Sequence, residues 1–323
     1  MNVLGEFFKN NVFFLIILLS IIIIILPIIH TFLLNMYYPV NYLVQQYRLY
    51  RAIYIVISGI ALSYAGCLLQ STLRNPLVDH YILGIGSGAL LATYLCILIT
   101  GYNVRLIATV AIIGGLLALF LTTSLAEYLS GSDVAYVLAG MSINSLFSGL
   151  SILLSYYVVT RYPYASILLV GGFTLSRPGL LPYLLPLAIV VIPTYFILAK
   201  RLNVVLLGDE YAMQLGVNPR TTRLISSIIS GCIASMVVAF FGIIGFIGLM
   251  TPHVSRFLLK TSDNRLVIPM ALGLGVGMLY LTDLLSRSIA APVIGEIPSG
   301  AVVSAIGAPF FTLLLIRRFK RGF

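Results

Sequence analysis

The chain has 323 residues, of which 60% are apolar and only 9% charged, and its net charge is +10. Soluble domains carry about 25% charged residues. The composition therefore excludes a soluble enzyme or nucleic-acid-binding domain and leaves an all-α, polytopic membrane protein in which the positive charge is first a topology signal.

A bilayer-crossing helix needs about 20 apolar residues. The apolar runs predict spans at about 12–34, 52–72, 83–100, 105–126, 135–159, 180–200, 220–241, 244–260, 267–288 and 299–316, in one transmembrane domain covering 1–323. Glu6 and Lys9 precede an apolar run that is too long for a cleavable signal peptide, so it is expected to remain as the first span. With the N-terminus inside, the even count puts both termini in the cytoplasm. Thirteen of the nineteen Lys and Arg then fall inside, and six fall outside: Arg48, Arg51, Arg105, Arg161, Arg177 and Arg287. That bias obeys the positive-inside rule. The outer six are opposed mainly by Glu296, with Asp283 deeper in its helix. Interfacial snorkelling explains Arg105, Arg161 and Arg177. For Arg48, Arg51 and Arg287, snorkelling and an acidic partner both stay open.

The second span ends in Gly66-Cys67-Leu68-Leu69-Gln70 and runs into Arg74-Asn75-Pro76-Leu77-Val78-Asp79-His80. Gln70 needs a partner there. Asn75-Pro76 marks a helix restart, and the polar turn reads either as a tight connection or as a gate at the mouth of a helix pair. Gly84 and Gly88, like Gly273, Gly275 and Gly277, have the small-residue spacing of close helix packing. Residues 171–181 read as an outer loop or short surface helix.

Leu207-Gly208-Asp209-Glu210-Tyr211-Ala212-Met213-Gln214-Leu215-Gly216-Val217-Asn218-Pro219-Arg220 is the longest polar interruption. Gly208 breaks the preceding helix, and Asp209 is placed to cap a new one. Glu210 adds charge where the helix dipole favours an anion. Gly216 stands where a left-handed terminus is wanted, and Asn218-Pro219 starts the next helix. A capped helix carrying Tyr211, Met213 and Leu215 outside the membrane reads as a docking surface in preference to a plain connector. Gly242, Gly245 and Gly248 then break one helix and start another. His253 beside Pro252 has no carboxylate within a helical turn, which favours a structural hydrogen bond over a proton relay. Arg317 to Arg321 close the chain as a cytoplasmic anchor.

Catalytic chemistry is missing. No paired carboxylates, metal-ligand motif or nucleophile constellation lies in a span. Cys67, Cys96 and Cys232 lie in apolar runs at no metal-like spacing. Of four lysines only Lys260 precedes a Ser or Thr, and Leu259 stands where a phosphate-binding loop needs glycine. If transport here is driven by ATP, another subunit supplies the nucleotide site and docks on the 207–220 segment.

Taken together, certain segments resemble the FecCD/BtuC family, the permease subunits of iron-siderophore and vitamin B12 ABC importers. They are Arg48-Leu-Tyr-Arg51; Gln70 with Asn75-Pro-Leu77; Leu207–Gly216; Gly245-Phe-Ile-Gly-Leu with Pro252-His253 and Arg256; Asp283 with Arg287; Glu296-Ile-Pro298; and Gly307-Ala-Pro-Phe310. The family pattern has proline where this chain has Tyr50 and His80, and leucine where it has Ile297. The resemblance implies a ten-helix, BtuC-like subunit acting as a homodimer in the cell membrane. Two P-loop ATPases, which carry the ATP and Mg, would hold the Leu207–Gly216 helices, with Leu207, Gly208, Asp209, Glu210, Tyr211, Ala212, Leu215 and Gly216 as the coupling residues. Acidic residues of an external binding protein would meet Arg48, Arg51 and Arg287, and Asn75 and Leu77 match a cytoplasmic gate. The expected cargo is a metal chelate, foremost a ferric siderophore, with cobalamin or haem as the alternative. An ion-coupled carrier is the competing class. It would need a mid-membrane carboxylate, for which Asp283 is the candidate.

Overall fold

The computed structural model describes residues 3–37, 40–290 and 296–320. The side chains of Glu6 and Lys9 and the basic run 317–321 lie outside what it describes. Among the described residues every regular element is helical: α1 (Val3–Tyr37), α2 (Tyr42–Thr72), α3 (Ile85–Thr100), α4 (Val104–Leu129), α5 (Asp133–Arg161), the single turn α6 (Ile167–Val170), α7 (Leu181–Leu206), α8 (Asp209–Gln214), α9 (Pro219–Phe241), α10 (Ile247–Leu259), α11 (Asn264–Leu285) and α12 (Ser299–Lys320).

The starts of these helices follow side-chain chemistry. Asn41, Asn103, Ser132, Asn218 and Asp263 each accept a hydrogen bond from a first-turn N–H of α2, α4, α5, α9 and α11. Each thereby satisfies a donor that the helix itself leaves open.

α2 is the axis of the fold. It packs against α1, α7, α9, α10 and α11. Its apolar stretch is 89% buried, against 17% for α1 and 22% for α5, so α2 is central and those two are peripheral. The outward faces of α1, α5 and α7 are apolar, as a lipid-facing surface requires. Packing inside relies on small residues: a Cβ on Gly66 of α2 would lie 1.9 Å from the Gly248 carbonyl oxygen of α10.

Among the described residues seven helices, α1, α2, α4, α5, α7, α9 and α11, are long and apolar enough to cross a membrane. α3, α10 and α12 lie where the other three spans were expected; α3 has 16 residues and α10 13, while α12 runs for 22. α10 has 13 residues, about 20 Å at 1.5 Å per residue, where about 30 Å of hydrocarbon must be crossed. It is short because residues 242–246 are not helical. Gly242 has φ +73° and Phe246, unusually for a non-glycine, φ +66°.

Two further expectations are corrected. Asn75-Pro76 does not restart a helix; turns continue to Gly84. Asn75 Oδ1 accepts the Leu77 N–H at 3.0 Å, and Asp79 Oδ1 accepts those of Tyr81 and Ile82 at 2.9 and 2.8 Å. These local bonds hold the chain in turn geometry. The outer loop or short helix expected over 171–181 is present in part, since 174 and 177–179 are exposed and Pro178–Leu180 forms a single 3-10 turn, but its start, residues 171–173, is not at the surface. They are buried, with Gly172 N–H bonded to Phe241 O at 2.8 Å and Gly300 N–H to Gly171 O at 2.9 Å, which knits α9, this loop and α12 together.

Candidate coupling and docking sites

α2 separates two charged regions. Arg51 lies near its start and Thr72 at its end, about 30 Å apart by helix geometry.

At the Arg51 end, four charged side chains meet. Arg51 Nη2 donates to Asp283 Oδ1 at 2.7 Å, Nε reaches both Asp283 oxygens at 3.1 and 3.2 Å, and Nη1 donates to Tyr47 Oη at 2.7 Å. Arg51 Nη2 also pairs with Glu296. Arg287 Nε lies 3.0 Å from Asp283 Oδ2, an ion pair without an aligned hydrogen bond. Arg287 sits on a π-helical turn, Ser286–Ala290, that ends α11. Such turns are rare and recur at functional sites.

This arrangement corrects the expectation that Arg51 stands free for an acidic partner. It is 1% exposed and its partners are internal. Arg287 and Glu296 each keep 29% side-chain exposure, and Arg48 is half-buried with Nη1 3.4 Å from Asn35 Oδ1. Among the described charged groups around Arg51, the ones that remain part-exposed are Arg48, Arg287 and Glu296. Asp283 is fully buried, and both of its oxygens carry guanidinium contacts. No oxygen remains open to ligate a coupling ion.

At the Thr72 end, α8 is a helix of six residues closed at its C-terminus by two bonds, Val217 N–H to Ala212 O at 2.9 Å and Gly216 N–H to Met213 O at 3.0 Å, with Gly216 at φ +76°. This is the Schellman arrangement, and glycine is there because the left-handed backbone requires it. The N-terminal reading is corrected: the cap position is Gly208 (φ +119°), with no side-chain hydrogen bond. Asp209 is the first helical residue, and its carboxylate turns inward. Arg223 of α9 grips it with two bonds, at 2.9 and 2.6 Å, and Arg74 Nη2 lies 3.1 Å from Oδ1. Arg223 Nε also donates to Thr72 O at 3.3 Å. Ala212 is buried, while Leu207, Tyr211, Met213 and Leu215 are 61–64% exposed and Glu210 is exposed. The sequence held no signal for Arg223 as the partner of Asp209, since nothing local links positions 14 apart across a turn.

The expected gate residues lie on the turn that follows α2. Asn75 is 2% exposed, with its side chain committed to Leu77 N–H, and Leu77 is half-buried. Beneath them, Gln70 finds the partners it needed: Nε2 donates to Gly248 O and Leu249 O at 3.3 and 3.2 Å, and Oε1 accepts from Arg256 Nη1 at 2.7 Å. His253 packs edge-on to Phe310.

A second network pins the start of α11. Asn203 Nδ2 donates to Asp263 Oδ1 at 2.6 Å, Asn264 N–H to Asn203 Oδ1 at 2.7 Å, and Ser71 Oγ to Asn264 Oδ1 at 2.8 Å. Burial pushes the Asp263 carboxyl up. Hydrogen bonds from the side chain and backbone of Arg265 and from Asn203 outweigh it and bring the pKa down to about 2, from 3.8. A depressed carboxylate pKa stabilises the fold above the unfolded value and loses that contribution as pH falls through the folded one. Asp263→Asn is therefore expected to be less stable than the parent at pH 6, with the difference shrinking between about pH 4 and pH 2. Unfolding in detergent across that range measures it. A difference that does not depend on pH would contradict the assignment.

Apolar helices packed around one buried helix, with ionic groups gathered at its two ends, are the architecture of a polytopic membrane protein. The chain belongs to the FecCD transport family, whose model matches residues 10–317. It is 34% identical over 283 residues to the Fe(3+) dicitrate transport system permease protein FecC of Escherichia coli, covering 85% of this chain and 83% of that one. It is 33% identical over 284 residues to the hemin transport system permease protein HmuU of Yersinia pestis, covering 84% and 82%. Among solved structures it resembles a metal-chelate type ABC transporter in an inward-facing conformation, with TM-score 0.74 and 28% identity over 96% of this chain and 99% of that one.

Proposed function

We propose that this chain is the membrane-spanning subunit of an ATP-driven importer of ferric chelates. It works as a homodimer in the cell membrane with both termini inside, two P-loop ATPases on the α8 side and a binding protein on the Arg51 side. ATP and Mg belong to the ATPases. The observation that carries the reading is α8: a helix capped at its C-terminus and anchored through Asp209, with Leu207, Tyr211, Met213 and Leu215 at and around it exposed among the described residues. An anchored apolar knob of this kind is what a cleft on a soluble partner can hold. The relatives named for ferric dicitrate and hemin favour an iron-bearing cargo, with a ferric siderophore foremost and haem or cobalamin as the alternative. An ion-coupled carrier is disfavoured because Asp283 is fully engaged by Arg51 and Arg287.

The test is recovery of a P-loop ATPase with the tagged chain from native membranes in mild detergent. Truncating an interface anchor costs about 2 kcal/mol or more. Tyr211→Ala with Leu215→Ala is therefore expected to lower the recovered ATPase at least tenfold while leaving the permease folded. Undiminished recovery from the double variant, or no ATPase with the parent, would sink the reading.

A further inference from the structure

The ionic knot beneath α8 reaches directly into the turn that carries the expected gate. Arg74 is the residue before Asn75, and its guanidinium meets the same Asp209 carboxylate that Arg223 holds. Arg223 ties Asp209 to α9 and to the last turn of α2, which belong to the packed frame. Arg74 ties it to the turn that follows α2.

The backbone of Arg74 is itself unusual. Its φ is +52°, one of three positive values on non-glycine residues among the described ones. L-residues hold this conformation at a cost and do so where the surroundings impose it. Here it directs the chain from Leu73 into the Asn75 turn, whose N–H bonds to Gln70 O at 3.2 Å. The ion pair contributes little to folding, because the side chains of Arg74 and Asp209 are 42% and 40% exposed. What it supplies is connection. α8 has few other ties to the rest of the chain, and no other charged side chain of the 73–84 turn is paired with it.

We infer that Arg74 is a positioning residue that transmits movement of α8 to the gate turn: Asp209 pulls on Arg74, and Arg74 carries Asn75 and Leu77 with it. The inference rests on the function proposed above and names the link through which an ATPase seated on α8 would move the gate.

The experiment uses the permease purified with its ATPase and reads the gate directly, so it needs no knowledge of the cargo. Leu77→Cys is labelled with a membrane-impermeant maleimide, with and without nucleotide trapped by vanadate. The parent cysteines Cys67, Cys96 and Cys232 are corrected for with the unsubstituted chain. With Arg74 present, trapping is expected to change the labelling rate of position 77 at least fivefold. Adding Arg74→Gly removes the guanidinium while placing at this φ the residue that best tolerates it. ATP hydrolysis and ATPase recovery should then stay within twofold of the parent, while the labelling response to nucleotide disappears. Arg74→Lys keeps the cation and should retain the response. A purely structural role would lower recovery and hydrolysis without removing the response.

A response that survives Arg74→Gly overturns the inference, as does a position 77 that ignores nucleotide even with Arg74 in place. Failure of the wider reading looks different: no ATPase accompanies the parent chain, and there is no hydrolysis to measure.

Discussion

Asp283→Asn is expected to cost about 3–5 kcal/mol of stability, measured by denaturant unfolding in mixed micelles, because it leaves the fully buried Arg51 without its principal counter-charge. Asn keeps the shape and one oxygen, so the loss reads charge. Glu296 remains, but at 29% exposure it sits at the edge of the site, whereas Asp283 meets three of the guanidinium contacts from within. The companion variant makes the reasoning testable. Arg51→Met with Asp283→Leu removes both charges together and should recover most of the loss, since replacing a buried ion pair with apolar groups of similar volume is often neutral or favourable. Glu296 and Arg287 then relax into solvent. A single variant that loses under about 1 kcal/mol, or a double variant no better than the single, would show that the pair does not hold this end together.

Docking follows from the same geometry. A binding protein that sought Arg51 would have to displace Asp283 and Glu296 from it, exchanging one carboxylate for another with little gain. Arg48 and Arg287 remain reachable without that exchange. The Arg51 cluster is better understood as the floor on which Arg287 and its π-helical turn are set. An acidic partner would add to the exposed side of an ion-pair network whose buried side is already complete.

Much of this was legible in the sequence for a physical reason. Apolar runs report where helices lie because the bilayer leaves no alternative, and Asn, Ser, Asp and Gly report where they start and stop because open N–H and C=O groups must be met locally. The left-handed Gly216 and the Asn218-Pro219 start were readable on that ground. Ionic partners were not. Arg51 and Asp283 are 232 residues apart, and Asp209 and Arg223 are joined only once α9 folds back beside α8. Reading Asp209 as a helix cap was locally sound, and it failed because two arginines outbid one backbone N–H for the carboxylate. The break before α10 was legible in Gly242, Gly245 and Gly248, but the start of the helix as late as Ile247, after Phe246 turns to a positive φ, was not.

The second large effect is expected at Gly66. A Cβ there would stand 1.9 Å from Gly248 O and 2.5 Å from Gly248 C, both backbone atoms with no flexible side chain to yield. Gly66→Ala must therefore push α2 and α10 apart. Overpacking of a core typically costs about 1–3 kcal/mol. More is lost here because Gln70, one helical turn on, binds Gly248 O, Leu249 O and Arg256 across the same contact. Each such bond is worth about 1 kcal/mol and leaves buried groups unpaired when broken. The expected loss is about 3 kcal/mol or more, with poor recovery of folded protein from membranes. Gly149→Ala is the control: it lies on the exposed face of α5 with nothing within 4 Å of a new Cβ, and should be neutral or slightly stabilising. Parent-like stability of Gly66→Ala would mean that the two helices do not meet as closely as described. The effect should also reach the gate turn, because Gly248 backs onto His80, with a Cβ there only 3.2 Å from His80 Nδ1. The α2–α10 contact thus supports from below the turn that Arg74 connects to α8.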